Sequence, residues 1–425
     1  MGFSIRQELR AVILTMLFFS LPLSAASADE PVVAPPAPVH GFLQGNYSLD
    51  TGGKNPDGGN WKWAQETIQL RLDESGEKLR FFLKGDASYD HVDDSARVEL
   101  REGYAGYASG KWDLRAGRQI ITWGHGDLVF VSDVFPKDYE AFFSGRPLEY
   151  LKKGVDGVKA GIYPDAVSIE VIAIPFFEPN NLPRAGRFRM FDSMPGAAGR
   201  VRSSPAATIS NTEIAARAYR DIAGYEAAVY FYRGFFRNPS MRPDNPAAPR
   251  TLTLFYPRLN VYGASLQGSG LDGVLSLEAG YYDSRQDRAG VDPFVPNSAF
   301  KFLALYQRQI GEDLTLGLQY YAECMSGYAG YSGNSPAGLP KDRRLRELLS
   351  ARLTRLMNYQ TLKLSLFSFY STTDGDYLVN PEVNYKFTDS VWASAGGNFF
   401  GGKPWTQFGS LDKDDNVYLQ VRREF

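Results

Sequence analysis

The feature that most constrains the fold of this chain is an alternation of apolar and polar residues that returns in many short segments. Residues 79–89 alternate in this way, and so do residues 67–72, 275–282 and 314–321. Successive side chains of a β-strand point to opposite faces, so the pattern predicts strands with one apolar and one mostly polar face. A soluble β-sandwich alternates too, and the pattern alone therefore leaves sandwich and barrel open.

The connections between these segments favour the barrel. We predict eighteen strands, at 41–49, 62–72, 78–90, 95–107, 112–123, 155–163, 166–174, 211–220, 225–233, 258–267, 273–282, 299–309, 313–323, 343–355, 360–371, 376–387, 391–400 and 416–425. Tight turns such as 164–165 alternate with connections that are mostly long, such as 124–154 and 175–210. The predicted fold is all-β: a transmembrane antiparallel up-and-down β-barrel of about 18 strands, with short periplasmic turns and long extracellular loops.

Two of the predicted strands have an unusual sequence. Pro381 is the one proline inside a predicted strand, and because proline cannot donate to a sheet ladder, we expect a bulge or a wrong assignment there. The apolar residues of the segment 343–357 also fit a helical stripe. We predict a strand for this segment because short and long connections would otherwise no longer alternate, and the helix stays as the alternative.

The N-terminus has the features of a secretion signal. A basic start precedes an apolar run over 11–23, and Ala26-Ser27-Ala28 fits the small-residue cleavage pattern. The run is short for a transmembrane helix. The predicted organisation is a signal peptide over 1–28, a proline-rich periplasmic lead-in over 29–40 and an outer-membrane β-barrel over 41–425.

The C-terminus carries a resemblance to a known signal. The chain ends on Phe425, and Val417, Leu419 and Val421 share its predicted face, while Arg423 interrupts that face. An apolar last strand with a terminal Phe resembles the assembly signal of bacterial outer-membrane proteins. The resemblance implies the barrel assembly machinery as a partner and the outer membrane of a Gram-negative cell as the location.

A finer resemblance lies in residues 114–164. Gly117-Arg118-Gln119 is followed by Trp123-Gly124, and then by the runs DVFPKDY at 133–139 and KAGIYP at 159–164. The combination resembles a pattern of large porin-like barrels, and its Gly-Arg-Gln-x-x-x-Trp-Gly part is similar to the alginate-export group and to related barrels of unknown substrate. That resemblance implies an eighteen-stranded barrel with a charged pore.

The polar face of predicted strands two to six carries more basic than acidic residues. We predict these pore-lining cations: Arg71, Arg80, Lys84, Arg97, Arg101, Arg115 and Lys159. A surplus of fixed cations in a narrow pore favours anions, and guanidinium groups pair bidentately with carboxylates. The alternative is that the charges pair across strands and only rigidify the wall, as Arg97 would with Asp86 or Glu99.

Two long loops carry further signals. The loop 124–154 is rich in aromatic residues, which is unusual for a solvated loop, so we expect it to pack inward as a constriction. The loop 175–210 is rich in arginine. It is expected to recruit anionic polymer, to fold into the pore, or to bind the phosphates of outer-leaflet lipopolysaccharide; its arginines are Arg184, Arg187, Arg189, Arg200 and Arg202.

Support for catalysis is poor. The histidines are His40, His91 and His125, and none lies near a nucleophile motif or in a metal-ligand spacing. His91 lies close to Asp93 and Asp94, so an Asp–His pair is conceivable on that loop. The net charge of -2 gives no reason to expect nucleic-acid binding. We expect no enzyme, no cofactor and no nucleic-acid partner.

The function that these patterns favour is an outer-membrane channel, a porin or exporter that passes hydrophilic anionic solutes or polysaccharide. The partners would be outer-membrane lipid, lipopolysaccharide and those solutes. An alternative is a barrel that sheathes a partner protein such as a multihaem cytochrome, although eighteen strands make the lumen tight for a protein. A barrel enzyme is the third hypothesis and would need a catalytic set that the sequence does not display.

Overall fold

The alternating segments form one closed antiparallel sheet in the computed structural model, which describes residues 39–425. The barrel strands are β1 (Val39–Asp50), β2 (Trp61–Ser75), β3 (Leu79–Asp90), β4 (Ser95–Ser109), β5 (Trp112–Gln119), β6 (Val155–Ile162), β7 (Ser168–Ile174), β9 (Glu213–Ile222), β10 (Tyr225–Phe235), β13 (Arg258–Gly270), β14 (Gly273–Ser284), β15 (Ala299–Ile310), β16 (Leu314–Met325), β17 (Leu345–Met357), β18 (Leu362–Ser371), β19 (Tyr377–Lys386), β20 (Val391–Gly401) and β21 (Asn416–Glu424). Each pairs with its neighbours along the chain, and β1 pairs with β21 to close the barrel. The predicted eighteen-stranded barrel is confirmed.

The predicted segments before the barrel fall mostly outside this structure. The signal peptide over 1–28 and residues 29–38 of the lead-in lie outside the described residues. Val39 and His40 belong to β1, where they pair with Leu72 and Arg71 of β2. The barrel therefore begins two residues before the predicted position 41.

The two faces of the sheet differ as a membrane barrel requires. Large apolar side chains on the outer face are exposed, among them Leu70 (49%), Leu83 (46%) and Val98 (88%). Residues at the intervening positions, such as Gln69 and Asp86, are polar and face inward, where their side chains hydrogen-bond to each other at 2.8 Å. An apolar outer belt around a polar interior is the arrangement expected of a barrel that contacts lipid on its outside and water on its inside.

Both unusual segments form strands. The segment that also fits a helical stripe is β17, which has continuous ladders with β16 and β18. Pro381 pairs with Leu366 of β18, but the ladder between β19 and β20 is interrupted at Pro381 and its neighbour Asn380. The side chain of Asn380 donates to the Gly397 carbonyl at 2.9 Å, so a side-chain hydrogen bond bridges the gap.

The predicted fifth strand, 112–123, is too long. β5 ends at Gln119, and the next backbone N–H, that of Ile120, donates to the Glu102 side chain at 3.1 Å instead of to a neighbouring strand. The chain leaves the sheet here and turns into the barrel, which the alternation of residues does not reveal.

Two segments predicted as loops contain a small second sheet. It consists of β8 (Gly199–Ser203), β11 (Ser240–Pro243) and β12 (Thr251–Phe255), with β12 parallel to β8 and antiparallel to β11. Short α-helices span Tyr139–Phe143 and Tyr328–Asn334. Within residues 39–425, no helix is long and apolar enough to cross a membrane.

Candidate functional site

The chain between β5 and β6, residues 120–154, folds into the barrel, and we call it the constriction loop. Its Phe135 and Tyr150 are 2% and 1% exposed. Phe143, at the end of the loop's short helix, packs edge-on against Phe400 of β20, and its carbonyl accepts hydrogen bonds from Asn398 at 3.0 Å and from Asn416. The expectation that the aromatic loop packs inward is confirmed.

A buried carboxylate on the inner wall holds the start of the constriction loop. Glu278 of β14 is 1% exposed and accepts backbone N–H groups from Gly126 at 2.8 Å and Ser132 at 3.0 Å, and also from His125. The loop approaches so closely that a Cβ on Gly124, whose φ is +78°, would lie 2.9 Å from the Glu278 oxygens. The Trp-Gly part of the sequence motif therefore marks the turn that seats the loop on this wall.

The C-terminal part of the constriction loop is held by β21, the strand that closes the barrel on β1. Gln420 of β21 donates to the Gly145 carbonyl, and Arg422 pairs with Glu149. Gly145 has a φ of +73°, and a Cβ there would overlap the ring of Tyr418 at 2.0 Å. Glycine is thus required for both the backbone conformation and the contact.

Between the constriction loop and the β17–β21 wall remains a space of about 250 Å³, which we call the lumenal cavity. The strand wall offers amide and hydroxyl groups, from Ser365, Asn380, Asn384, Ser394, Asn398 and Gln420. The loop side is mainly apolar, with Leu128, Phe142 and Leu148. The strand wall therefore supplies the amide and hydroxyl groups, next to the rings of Phe367, Trp392 and Tyr418, while most of the loop's contribution is apolar.

The charges that line the lumenal cavity are three cations and one anion, namely Arg146, Arg352, Lys363 and Glu382. Asp127 neutralises Arg352, and the Lys363 Nζ lies 3.8 Å from Glu382. Arg146 has no ion pair within residues 39–425; its guanidinium lies 3.8 Å from the ring centroid of Tyr150 and 4.7 Å from that of Trp63. The lumenal cavity thus has an excess of positive charge, centred on the loop.

Six of the seven cations named from the sequence lie on the inward-facing side of β2 to β6, since each pairs in register with residues of that side, while Arg101 lies at a bulge of β4. Most of them form ion pairs. Arg71 and Arg80 share Asp73, and Arg80 binds it through two nitrogens at 2.8 and 2.7 Å. Lys84 pairs with Glu102 at 2.8 Å.

The remaining members divide into paired and unpaired groups. Arg97 pairs with Asp93 at 2.9 Å, and not with Asp86 or Glu99, the partners that the alternative of internal pairing named. Lys159 pairs with Glu170. Within the described part of the chain, Arg115 alone of the seven has no carboxylate partner, and its guanidinium lies over the Tyr104 ring at 4.4 Å. Ion pairs within the protein therefore account for most of this set, and three of them, those of Arg80, Lys84 and Lys159, join neighbouring strands.

Arg101 has a different role, because a bulge in β4 turns its side chain inward next to that of Glu102. It is 6% exposed and lies 3.7 Å from Glu99. Its guanidinium donates to the carbonyls of Glu149 at 3.0 Å and Lys152 at 3.3 Å. Arg101 thus supports the constriction loop from the wall.

The arginine-rich loop also folds inward. Arg187 is 2% exposed and pairs with Asp90 and Asp93, both at 2.7 Å, while Arg184 reaches Glu140 of the constriction loop as well as Asp93. Burial alone would raise the pKa of Asp93, but hydrogen bonds from Arg187 and Arg184 outweigh it and the pKa is lowered. These two guanidinium groups are thus occupied by the protein's own carboxylates.

Sequence reasoning missed the residues that define the lumenal cavity. Arg146 follows the aromatic run of the constriction loop, which was noted for its rings and not for its cation. Arg352 lies at a polar position of the segment whose strand character was open. The available signal was a cation directly after the aromatic run for Arg146, and one of several basic residues in its segment for Arg352.

The histidines are scattered. His91 bonds to Glu66, so the conceivable pair with Asp93 or Asp94 is not formed. The backbone N–H of His125 donates to the Glu278 side chain, and His40 lies at the start of β1. Across residues 39–425, no group of three or more His, Cys, Asp or Glu side chains is arranged to hold a metal ion.

Comparison with known proteins identifies the fold. No protein-family model and no curated protein sequence matches the chain. Among solved structures, Acinetobacter baumannii OccAB3 aligns with a TM-score of 0.57 and 9% identity over 91% of this chain and 98% of that one. Pseudomonas aeruginosa OccK5 (OpdH) aligns at 0.56 and 10%, over 91% and 97%. Pseudomonas aeruginosa OccK2 (OpdF), solved in complex with glucuronate, aligns at 0.56 and 12%, over 92% and 98%.

These neighbours are outer-membrane porins of the Occ/OprD type. At such low identity the likeness shows the fold, which is that of an eighteen-stranded porin barrel. It does not test the resemblance to the alginate-export group, which stays a prediction.

Proposed function

We propose that the chain is an outer-membrane channel that passes small hydrophilic anions. A closed barrel with an exposed apolar belt and a polar interior is built for lipid outside and water inside. The fold shared with porins of two Gram-negative genera supports the same location and role. The constriction loop narrows the interior, so it is the place where solutes are selected.

The main support for anions as the solutes comes from Arg146. Its guanidinium lines the lumenal cavity and has no carboxylate partner among the described residues. A fixed cation in a constriction lowers the barrier for anions, and a guanidinium fork suits carboxylates in particular. The amides and hydroxyls of the opposite wall are suited to solute hydroxyl groups. Glucuronate, which the OccK2 structure holds, has both kinds of group, and we propose hydroxylated carboxylates as the solute class.

The size of the lumenal cavity favours small solutes over polymers. Its volume of about 250 Å³ is below the range of pockets that hold drug-sized ligands, roughly 300–1,000 Å³. Polysaccharide would require the constriction loop to move off its anchors on the wall, among them Glu278, Arg101 and Gln420. A partner protein inside the barrel, as in a cytochrome sheath, would require the same loop to leave the lumen entirely.

The direct test is ion selectivity in planar bilayers. We expect the wild-type channel to prefer anions, and Arg146→Gln to reduce the anion-to-cation permeability ratio about fivefold, since a unit charge about 4 Å from an ion contributes about 1 kcal/mol even in water. Arg355→Gln is the control, because Arg355 lies on the outer face at the short-turn end. A cation-selective wild-type channel, or equal effects of the two substitutions, would contradict the proposal.

A further inference from the structure

Three arginines without acidic partners meet on the outer face of the barrel, at the end that carries the long loops. Arg258 opens β13, and its carbonyl accepts the backbone N–H of Arg285, which directly follows β14, at 3.0 Å. Arg233 of β10 pairs in register with Asn260, two residues along β13 from Arg258. Same-face neighbours at this spacing lie about 5–8 Å apart. We call these three residues the rim arginines.

The rim arginines have no neutralising partner. Within residues 39–425, none of the three guanidinium groups forms an ion pair or donates a hydrogen bond, whereas that of the nearby Arg288 binds Asp283 through two nitrogens at 2.7 and 2.8 Å. Burial and the neighbouring guanidinium groups of Arg233, Arg258 and Arg288 lower the pKa of Arg285. In the described part of the chain, Asp283 is the one carboxylate that acts on Arg285 among these guanidinium groups, and it is bound by Arg288. The cluster therefore keeps a net positive charge, and an anionic ligand would relieve the repulsion between its arginines.

The position of the rim arginines relative to the membrane indicates which anion is available. Aromatic rings that also face outward lie next to the rim arginines, on the side nearer the middle of the strands. The ring centroids of Phe231 and Tyr262 are 5.6 Å apart, and those of Tyr281 and Phe300 are 4.6 Å apart. Phe300 and Tyr262 are 62% and 48% exposed. Aromatic girdles of outer-membrane barrels lie at the membrane–water interface. The rim arginines therefore lie at the level of the headgroups of the outer leaflet.

We propose that Arg233, Arg258 and Arg285 bind the phosphate groups of a phosphorylated glycolipid of the outer leaflet, the lipid A part of lipopolysaccharide. The aromatic rings below them contact the acyl chains, and the guanidinium groups donate charge-assisted hydrogen bonds to phosphate oxygens. The ligand is held on the outside of the barrel, so the site is independent of what the channel conducts.

Titration of the purified, delipidated barrel with bisphosphorylated lipid A, followed by native mass spectrometry, tests the site. Basic side chains near a membrane surface contribute about 1 kcal/mol each, so Arg258→Gln/Arg285→Gln should weaken binding about thirtyfold. Arg233→Gln alone should weaken it by a smaller factor. The matched control is Arg220→Gln/Arg355→Gln, which removes two outward arginines at the short-turn end and should leave binding unchanged.

Two further titrations, with dephosphorylated lipid A and with phosphatidylglycerol, test which chemical groups of the ligand are recognised. Lipid A from which both phosphates have been removed should bind weakly and equally to the wild type and the Arg258/Arg285 variant. Phosphatidylglycerol should bind less tightly than lipid A. Equal lipid A binding by the wild type and this variant, with both barrels intact by heat-modifiable migration, would overturn the site; equal binding of phosphatidylglycerol and lipid A would overturn the glycolipid as its ligand.

Discussion

Asp127 of the constriction loop and Arg352 on the inner face of β17 form a two-pronged ion pair across the lumen. The Arg352 Nε and Nη2 atoms lie 2.5 and 2.8 Å from the two oxygens of Asp127. Gln319 reinforces the contact by accepting the Asp127 N–H at 2.8 Å. The pair fastens the loop and at the same time masks a positive charge that lines the lumenal cavity.

Asp127→Asn should unmask that charge. Removing one negative charge beside the lumenal cavity should raise the anion-to-cation permeability ratio about fivefold. Planar-bilayer reversal potentials in a salt gradient measure the ratio. Asp165→Asn is the control, because Asp165 pairs with Lys111 on an exposed turn at the far end of the barrel. An unchanged ratio in Asp127→Asn would show that Arg352 does not reach the conduction path.

Replacing residues 127–150 by a short Gly/Ser linker should increase single-channel conductance severalfold, because these residues occupy the lumen. The ladders of the eighteen strands do not involve them, so the barrel should still form. Deleting residues 246–248, an exposed loop tip, should leave conductance unchanged. An intact barrel with wild-type conductance after loop removal would mean that ions bypass the constriction loop.

The seven wall cations should differ in their effect on selectivity. Arg115→Gln removes a charge that has no carboxylate partner among the described residues, and should lower the anion-to-cation ratio about fivefold. Arg80→Gln/Asp73→Asn removes a charge pair and should leave the ratio nearly unchanged, as should the lipid-facing Leu83→Ala. If the paired and unpaired substitutions shift the reversal potential equally, the pairing on this wall is not what sets selectivity.

The arginine-rich loop should loosen at low pH. Because the pKa of Asp93 is lowered in the folded protein, its stabilising contribution is present above its unfolded value, about 3.9, and is lost as the pH falls through the folded value. The protection of residues 184–189 against hydrogen exchange, taken relative to the intrinsic rate at each pH, should therefore fall below about pH 4. Burial raises the pKa of Glu140, which acts in the opposite direction, so a variant is needed to isolate Asp93.

Asp93→Asn provides that separation. In this variant the protection of residues 184–189 should already be low at pH 7, and its further loss at acid pH should be smaller than in the wild type. Asp165→Asn again serves as the comparison. Wild-type exchange in Asp93→Asn at both pH values would show that Asp93 does not hold the loop.

Deleting Phe425 should impair assembly of the barrel. Its backbone exchanges two hydrogen bonds with Gly41, at 2.9 and 3.0 Å, and its ring is 54% exposed on the outer face. The heat-modifiable fraction in outer-membrane preparations measures assembly. Phe425→Tyr keeps the ring and the backbone and should assemble normally. Normal assembly of the deletion variant would count against the terminal Phe as an assembly signal.

The sequence predicts the barrel well because the environment acts on every residue of every strand. A residue such as Leu83 must face lipid and its neighbour Lys84 must face water, so the alternation sets both the strand and its faces. The same rule covers β17, although its apolar residues also fit a helix. Where the chain leaves this two-sided environment, as at Ile120 and in the small sheet of β8, β11 and β12, the alternation carries no information.

The charges of the interior could be placed on a face but not paired. Whether Arg97 meets Glu99 or Asp93 depends on side-chain reach toward a turn, which the sequence pattern does not encode. Glu278 and Gly124 lie far apart in the chain, and their contact depends on the path of the constriction loop through the lumen. The position of that loop in the lumen therefore could not be predicted from the sequence around Gly124 or around Glu278 alone.

The closing of β1 on β21 has a consequence for the order of folding. Every other ladder of the barrel joins consecutive barrel strands, so it forms after a short turn or a single loop has closed, whereas Ser48 and Asn416, which meet at the seam, are 368 residues apart in sequence. The entropy lost on closing a loop grows with its length, and contacts of long sequence separation form slowly. The seventeen local ladders can therefore grow by zippering from hairpins, while the seam waits for both ends of the sheet. Until then the growing sheet has two open edges. A substitution that weakens the pairing of β1 with β21 should therefore prolong this open intermediate more than a substitution that destabilises any other ladder by the same free energy.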